Sequence, residues 1–162
     1  MYLNDNLGIN EKGNLTFNNA DTVMLAEKYQ TPLYVMDENL IRKNCRMYKE
    51  ALDKFYDKNG LALYASKAFS CKEIYRIVQS EGLGCDVVSG GELYTALKAG
   101  FDPSKIYFHG NNKTKDELIF ALDSNVGHIV LDGFYDLEVL DKLCCEKNVN
   151  ANVSVRIKPG ID

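Results

Sequence analysis

The sequence lacks three features that would each indicate a particular class of protein. No run approaches the ~20 apolar residues that a membrane-spanning helix needs. The five cysteines are odd in number and contain no C-x-x-C pair, which excludes the common zinc spacings and a disulfide framework. Basic residues are in deficit, 19 against 23 acidic ones, and the net charge of −4 argues against a nucleic-acid binder. We therefore expect no metal, no membrane and no nucleic acid as partners.

The composition is that of an ordinary globular protein. Hydrophobic residues make up 46% and charged residues 26% of the 162 positions, which excludes disorder and fits about one domain. Met1–Asn6 has neither a basic stretch nor an apolar stretch, so we expect no secretory signal. Together with the unpaired cysteines, this predicts a cytoplasmic protein with reduced thiols.

The N-terminal part of the chain is polar and turn-rich over residues 1–32. A short helix is predicted from Asp21 to Lys28, and a strand over Leu33–Met36. Asp37 is a good N-cap for a long helix, because apolar residues between positions 40 and 56 keep helical spacing.

A regular alternation of strands and helices begins after residue 60. Apolar, β-rich runs start near positions 61, 84, 105, 127 and 151, which are 21 to 24 residues apart. Helical patterns lie between them, over 70–80, 90–99, 114–123 and 134–147. This predicts an α/β fold with a parallel sheet, either doubly wound or part of a (β/α)₈ barrel of which about five units are present. The units share this period but no obvious residue-by-residue copy.

The polar residues associated with the predicted strands cluster near the C-terminal ends of those strands. Since the carboxyl ends of parallel strands meet at one edge of a sheet or barrel, these residues are expected to converge. The candidates are Lys67, Asp86, His109 and Arg156.

Each candidate admits two interpretations. Lys67 is either partly desolvated, which favours the neutral nucleophilic amine, or a solvated loop lysine. Asp86 either belongs to a site or caps the next helix. His109 either binds a ligand or is structural, while Arg156 in a β-rich segment favours an ion pair or an anion contact. Gly90-Gly91 either presents helix N–H groups to an anion or makes a tight turn.

Five motifs occur in order along the chain. They are Thr31-Pro32-Leu33-Tyr34-Val35, Tyr64-Ala65-Ser66-Lys67-Ala68-Phe69, Gly84-Cys85-Asp86-Val87-Val88-Ser89-Gly90-Gly91-Glu92-Leu93, Ile106-Tyr107-Phe108-His109-Gly110-Asn111-Asn112-Lys113 and Arg156-Ile157-Lys158-Pro159-Gly160. In this order they resemble the alanine-racemase-like group of pyridoxal phosphate-dependent decarboxylases, and within it the diaminopimelate decarboxylases. The resemblance covers essentially the whole chain.

The resemblance implies a (β/α)₈ barrel that binds pyridoxal 5′-phosphate and a second, β-rich domain. Residues 1–36 would belong with that second domain, and residues 37–162 would form an incomplete barrel. Lys67 matches the catalytic lysine that carries the cofactor as a Schiff base. Asp86, His109 and Arg156 match cofactor-binding positions, although the role of His109 is less defined.

The activity implied is decarboxylation of meso-2,6-diaminopimelate to L-lysine and CO₂ by a homodimer. Another basic amino-acid decarboxylase or racemase of the same group, or a non-catalytic protein that binds pyridoxal phosphate, are the alternatives. A complete barrel takes roughly 250 residues. We therefore expect the chain as given to be a fragment that is inactive alone.

Overall fold

The computed structural model describes residues 6–160. Residues 1–5, on which the expectation of no secretory signal partly depends, lie outside the described residues. The chain divides into two compact units, Met1–Lys43 and Asn44–Asp162. The assignment of residues 1–36 to a second domain stays a prediction.

The first unit contains a small antiparallel sheet that the sequence did not reveal. Its strands are β1 (Leu7–Ile9), β2 (Leu15–Phe17) and β3 (Ala20–Asp21), in that order. Three-residue strands are too short to show a clear alternation, which is why a turn-rich segment was expected. The predicted first helix is confirmed as α1 (Thr22–Tyr29). Asp21 caps this helix by accepting from the backbone N–H groups of Val23 and Met24.

The predicted strand over Leu33–Met36 is wrong. These residues have no regular secondary structure, and their side chains are exposed. An apolar, β-prone run forms a strand only where a neighbouring strand satisfies its backbone, and no ladder in the described chain includes this run. Helix α2 (Glu38–Phe55) follows as predicted, and the Asp37 side chain accepts from the backbone N–H of Leu40 at 3.2 Å.

The second unit alternates strand and helix as the sequence predicted. Its strands are β4 (Leu63–Ala65), β5 (Gly84–Val87), β6 (Ile106–Phe108), β7 (His128–Leu131) and β8 (Val153–Val155). Its helices after α2 are α3 (Lys72–Ser80), α4 (Gly90–Lys98), α5 (Lys115–Asp123) and α6 (Phe134–Lys147). Two short 3₁₀ helices, Ser66–Ala68 and Pro103–Lys105, complete it.

Strand order decides between the two architectures that the periodicity of the sequence left open. The five parallel strands lie in chain order, β4-β5-β6-β7-β8, with no reversal. A doubly wound sheet reverses its order at a switch point, whereas a barrel adds each strand beside the previous one. The sheet is therefore wound as a barrel.

The sheet buries one face against its helices. Alternate residues of the central strands point to that face and are at most 3% exposed: Cys85, Val87, Ile106, Phe108, Ile129 and Leu131. Burial raises the pKa of the Cys85 thiol to about 12, which makes it an unreactive core residue. Backbone also approaches backbone closely at Gly127, where a Cβ atom would lie 2.0 Å from the Ser104 carbonyl oxygen.

Across residues 6–160, no helix combines the length and apolar character needed to cross a membrane.

Candidate active site

Lys67 lies directly after β4, in the short 3₁₀ helix Ser66–Ala68. Its side chain is exposed in the described chain, so of the two interpretations the structure agrees with the solvated loop lysine. The preceding residue, Ser66, is instead fully buried and fixes the backbone beside Lys67.

Asp86 is half-buried on the face of the sheet opposite the helices. Ala65, Asp86, Tyr107 and His128 pair in register across four strands and so point to the same face. The Oδ1 atom of Asp86 is buried and has no hydrogen-bond partner within residues 6–160. Because Ser89 caps α4, the alternative that Asp86 caps that helix is wrong.

Burial raises the pKa of the Asp86 carboxyl above its ordinary value. The charges of His109 and Lys67 act in the opposite direction, and the charge of Glu92 adds to the rise. These interactions place Lys67, Asp86 and His109 in one electrostatic cluster. Asp86 is a half-buried carboxyl with a raised pKa and an unused acceptor atom, and it lies beside Lys67 and His109, which marks it as a functional candidate.

His109 follows β6 and continues its ladder, since its backbone N–H donates to the Val87 carbonyl at 2.8 Å. The next residue, Gly110, has a positive φ of 109°, and a Cβ atom there would lie 3.0 Å from the Val88 carbonyl oxygen. A glycine is required at this turn, because another residue would be strained and crowded. The turn directs the chain away from the sheet immediately after His109.

Arg156 directly follows β8 and forms the ion pair that its sequence context favoured. Its Nη1 lies 3.1 Å from Oδ1 of Asp132, which follows β7. Arg156 is exposed, and it lies at the same edge of the sheet as the other candidates, because parallel strands end together. It is not among the groups that perturb Asp86.

The anion site considered at Gly90-Gly91 is not free in the structure. The backbone N–H of Gly90 donates to Oε1 of Glu117 at 2.7 Å. That carboxylate, supplied by α5, already occupies the position where an anion would bind.

A second set of polar residues, which the sequence reasoning missed, holds these loops together. Oε2 of Glu92, in the first turn of α4, accepts from the Ser66 hydroxyl at 2.7 Å and from the Val88 N–H at 2.9 Å. The same hydroxyl lies 2.6 Å from the Asp86 carbonyl. Glu92 thus ties the segment that carries Lys67 to the end of β5.

The same arrangement recurs in the next two helices. Glu117 accepts from Thr114 and from Gly90 of the preceding unit. Asp136 accepts from the Asp132 backbone N–H at 3.4 Å and pairs at 3.1 Å with Lys113 of the preceding unit. Each acid therefore bonds its own loop and the loop before it.

A short pattern accompanies this arrangement, although the units share no residue-by-residue copy. In α4, α5 and α6, an acid followed by leucine occurs three residues after the N-cap. The three segments are Ser89-Gly90-Gly91-Glu92-Leu93, Thr114-Lys115-Asp116-Glu117-Leu118 and Gly133-Phe134-Tyr135-Asp136-Leu137. This spacing, aligned to the predicted helix starts, is the signal that could have identified Glu92, Glu117 and Asp136.

Residues 38–162 match the pyridoxal-binding domain of the pyridoxal-dependent decarboxylases. The chain belongs to this pyridoxal-dependent decarboxylase family. The family implies pyridoxal phosphate as the cofactor, as the sequence motifs predicted.

Curated relatives of the family include two diaminopimelate decarboxylases that align with the whole chain. The Bacillus methanolicus protein is 50% identical over 162 residues, and the Bacillus subtilis protein is 46% identical over 162 residues. In each case the chain covers 37% of the relative's length. The chain thus spans just over a third of these decarboxylases.

Solved structures of the family confirm the predicted fold class. Diaminopimelate decarboxylase from M. jannaschii, in complex with L-lysine, superposes with a TM-score of 0.90 at 37% identity, over 100% of this chain and 38% of that one. The Helicobacter pylori enzyme superposes with a TM-score of 0.79 at 33% identity, over 88% of this chain and 35% of that one. The five-stranded parallel sheet corresponds to the N-terminal part of the barrel of these decarboxylases.

The residues present fit the family's cofactor. Pyridoxal phosphate needs an amine that can bind it covalently and polar groups that orient it. Lys67 is an accessible amine at the end of β4, and Asp86 beside it keeps one carboxylate oxygen without a protein partner in the described part of the chain.

Proposed function

We propose that this chain supplies the lysine-bearing part of a decarboxylase that converts meso-2,6-diaminopimelate to L-lysine and CO₂. The observation that carries the proposal is the cluster of Lys67, Asp86 and His109 at the carboxyl ends of three adjacent strands. The substrate follows from the relatives that align with the whole chain, which are diaminopimelate decarboxylases at 50% and 46% identity.

Lys67 would hold the cofactor through its Nζ atom. Pyridoxal phosphate, when bound, supplies an electron sink for the electron pair that remains as CO₂ departs. Asp86 would attract the ammonium group of Lys67 and keep it at this edge of the sheet, beside His109.

Arg156 would provide N–H groups for an anionic part of the cofactor or substrate. Its Nη1 is held by Asp132 at 3.1 Å, which orients the guanidinium fork. A guanidinium has five N–H donors in fixed geometry, so the bond to Asp132 leaves others for a carboxylate or phosphate.

The complete gene product, supplied with pyridoxal phosphate, tests the proposed substrate. We expect CO₂ release and L-lysine from meso-diaminopimelate, measured by mass spectrometry, and little turnover of L-ornithine or L-arginine. Faster release of CO₂ from ornithine or arginine would transfer the proposal to another decarboxylase of the group. Racemisation without CO₂ release would assign a racemase.

Borohydride reduction tests the cofactor site separately from turnover. After incubation with pyridoxal phosphate, we expect the reduced adduct on Lys67, mapped by peptide mass spectrometry. Lys72, an exposed lysine five residues later, is the internal comparison. An adduct spread evenly over both lysines, or none on Lys67 in the folded protein, would contradict the assignment.

Replacing Asp86 by asparagine should stabilise the cofactor-free protein near pH 7 and impair the enzyme. The folded state raises the pKa of this carboxyl, so it binds more protons than the unfolded state between the two pKa values. The stabilising contribution of this carboxyl is therefore complete below its pKa in the unfolded state, and it is lost as the pH rises through its pKa in the folded state. The variant has no such carboxyl. Between pH 4 and 7, its free energy of unfolding in urea should therefore decline less than that of the wild type.

The same Asp86→Asn variant should lose activity by on the order of 10²-fold, because it removes the charge that faces Lys67 and His109. Asp116→Asn is the matched control, since Asp116 is an exposed acid in the first turn of α5. An unchanged rate in Asp86→Asn would remove Asp86 from the site.

We further propose that the complete protein is a homodimer in the cytoplasm. Both statements rest on the family resemblance and on the unpaired cysteines. Light scattering of the complete gene product tests the dimer, and cell fractionation tests the location.

A further inference from the structure

The ion pair between Lys113 and Asp136 has no part in the proposed chemistry, yet it is almost completely buried. The side chains are 1% and 8% exposed, and Nζ of Lys113 lies 3.1 Å from Oδ2 of Asp136. Charged groups are rarely removed from water unless they are paired and hydrogen-bonded. The pair therefore needs a physical explanation.

The pair connects the loop that follows His109 to the end of β7. Nζ of Lys113 also donates to the Gly110 carbonyl at 2.5 Å, which fixes the turn next to His109. On the other side, Oδ2 of Asp136 accepts from the Asp132 backbone N–H at 3.4 Å.

The connection continues to Arg156. Asp136 holds the backbone of Asp132, and the carboxylate of Asp132 accepts from Nη1 of Arg156 at 3.1 Å. The buried pair thus lies between two residues assigned to the cofactor, His109 at the end of β6 and Arg156 at the end of β8.

Stability alone is a weak reason for such a pair. A well-packed apolar pair of similar volume is often as stabilising as a buried ion pair, or more so, because the charges lose their hydration. What an apolar pair cannot do is donate to the Gly110 carbonyl or accept from the Asp132 N–H. Glu92 and Glu117 occupy the equivalent position of their helices and also bond to the preceding loop.

We propose that Lys113 and Asp136 are positioning residues that hold His109 and Arg156 in register at the cofactor site. The part of this inference that concerns the cofactor rests on the proposed function. The part that concerns the two loops is independent of it.

The decisive variant is the double substitution Lys113→Met/Asp136→Leu in the complete gene product. It replaces the ion pair by apolar side chains, so the melting temperature should stay near that of the wild type. Amide hydrogen exchange in residues 109–113 and 132–136 of the cofactor-free protein should accelerate by about tenfold. The Kd for pyridoxal phosphate, measured by absorbance, should rise by about tenfold.

The exposed ion pair between Lys147 and Asp123 provides the matched control. It joins the C-terminal ends of α6 and α5, away from the strand ends, with an Nζ–Oδ1 distance of 2.7 Å. Lys147→Met/Asp123→Leu should change neither the exchange rates near the site nor the Kd.

If the double variant folds and either its exchange rates or its Kd for pyridoxal phosphate keep the wild-type value, the proposal is overturned. Should the double variant unfold, Asp136→Asn, which removes the charge and keeps the volume, is judged by the same two readouts. A wild-type protein that binds no pyridoxal phosphate refutes the proposed function instead, and the exchange rates then decide alone whether the pair holds the two loops.

Discussion

Replacing Lys67 by alanine is expected to abolish covalent binding of pyridoxal phosphate and to lower decarboxylation by on the order of 10³-fold or more. Lys67 is exposed in a short 3₁₀ helix, so the substitution removes an amine without opening a cavity. The melting temperature should therefore stay close to that of the wild type. The measurements are CO₂ release from diaminopimelate and borohydride trapping of the cofactor.

Two further variants separate the roles of the Lys67 amine. Lys67→Arg keeps a positive charge near Asp86, but a guanidinium does not lose its proton and cannot replace the amine. It should be as inactive as Lys67→Ala. Substantial activity in Lys67→Arg would show that only the charge matters. Lys72→Ala, which alters an exposed lysine in the first turn of α3, should retain the wild-type rate.

Replacing Phe108 by alanine should lower the free energy of unfolding by about 3–5 kcal/mol. Phe108 is fully buried on the central strand of the sheet, between β5 and β7, where the loss of a ring leaves a cavity that its neighbours fill only in part. Its backbone also precedes His109, so the cofactor site should weaken as well. Urea unfolding followed by circular dichroism measures the change.

Phe134→Ala is the control for this prediction, because it removes the same side chain at a position that is 85% exposed. It should change the free energy of unfolding by no more than about 0.5 kcal/mol. Similar values for Phe108→Ala and Phe134→Ala would contradict the assignment of Phe108 to the core.

The helices and parallel strands were predictable because each is encoded by local spacing. The predicted helices at 90–99, 114–123 and 134–147 match α4, α5 and α6 within one residue at each end. The first three strands were too short for such a signal, and Leu33–Met36 had strand propensity without a partner. Propensity describes a residue's own preference, whereas a strand also needs a second chain segment.

The candidate site was predictable in its components but not in its connections. Lys67, His109 and Arg156 could be found because each lies where an apolar run ends, and Asp86 because it interrupts one. Glu92, Glu117 and Asp136 could not be assigned by the same reasoning, because an acid in the first helical turn usually indicates a favourable helix dipole. Their bonds to the preceding loop depend on how neighbouring units pack.

By itself, the sequence determined the order of the βα units, the residues at the ends of their strands and membership of a pyridoxal-dependent family. Those features depend on local spacing and on motifs that lie within single segments. Only the tertiary structure decided that Lys67 is exposed while Asp86 is half-buried, and that Lys113 pairs with Asp136 in the interior. Each of these depends on which distant segments come together, because burial and pairing are properties of the packed chain.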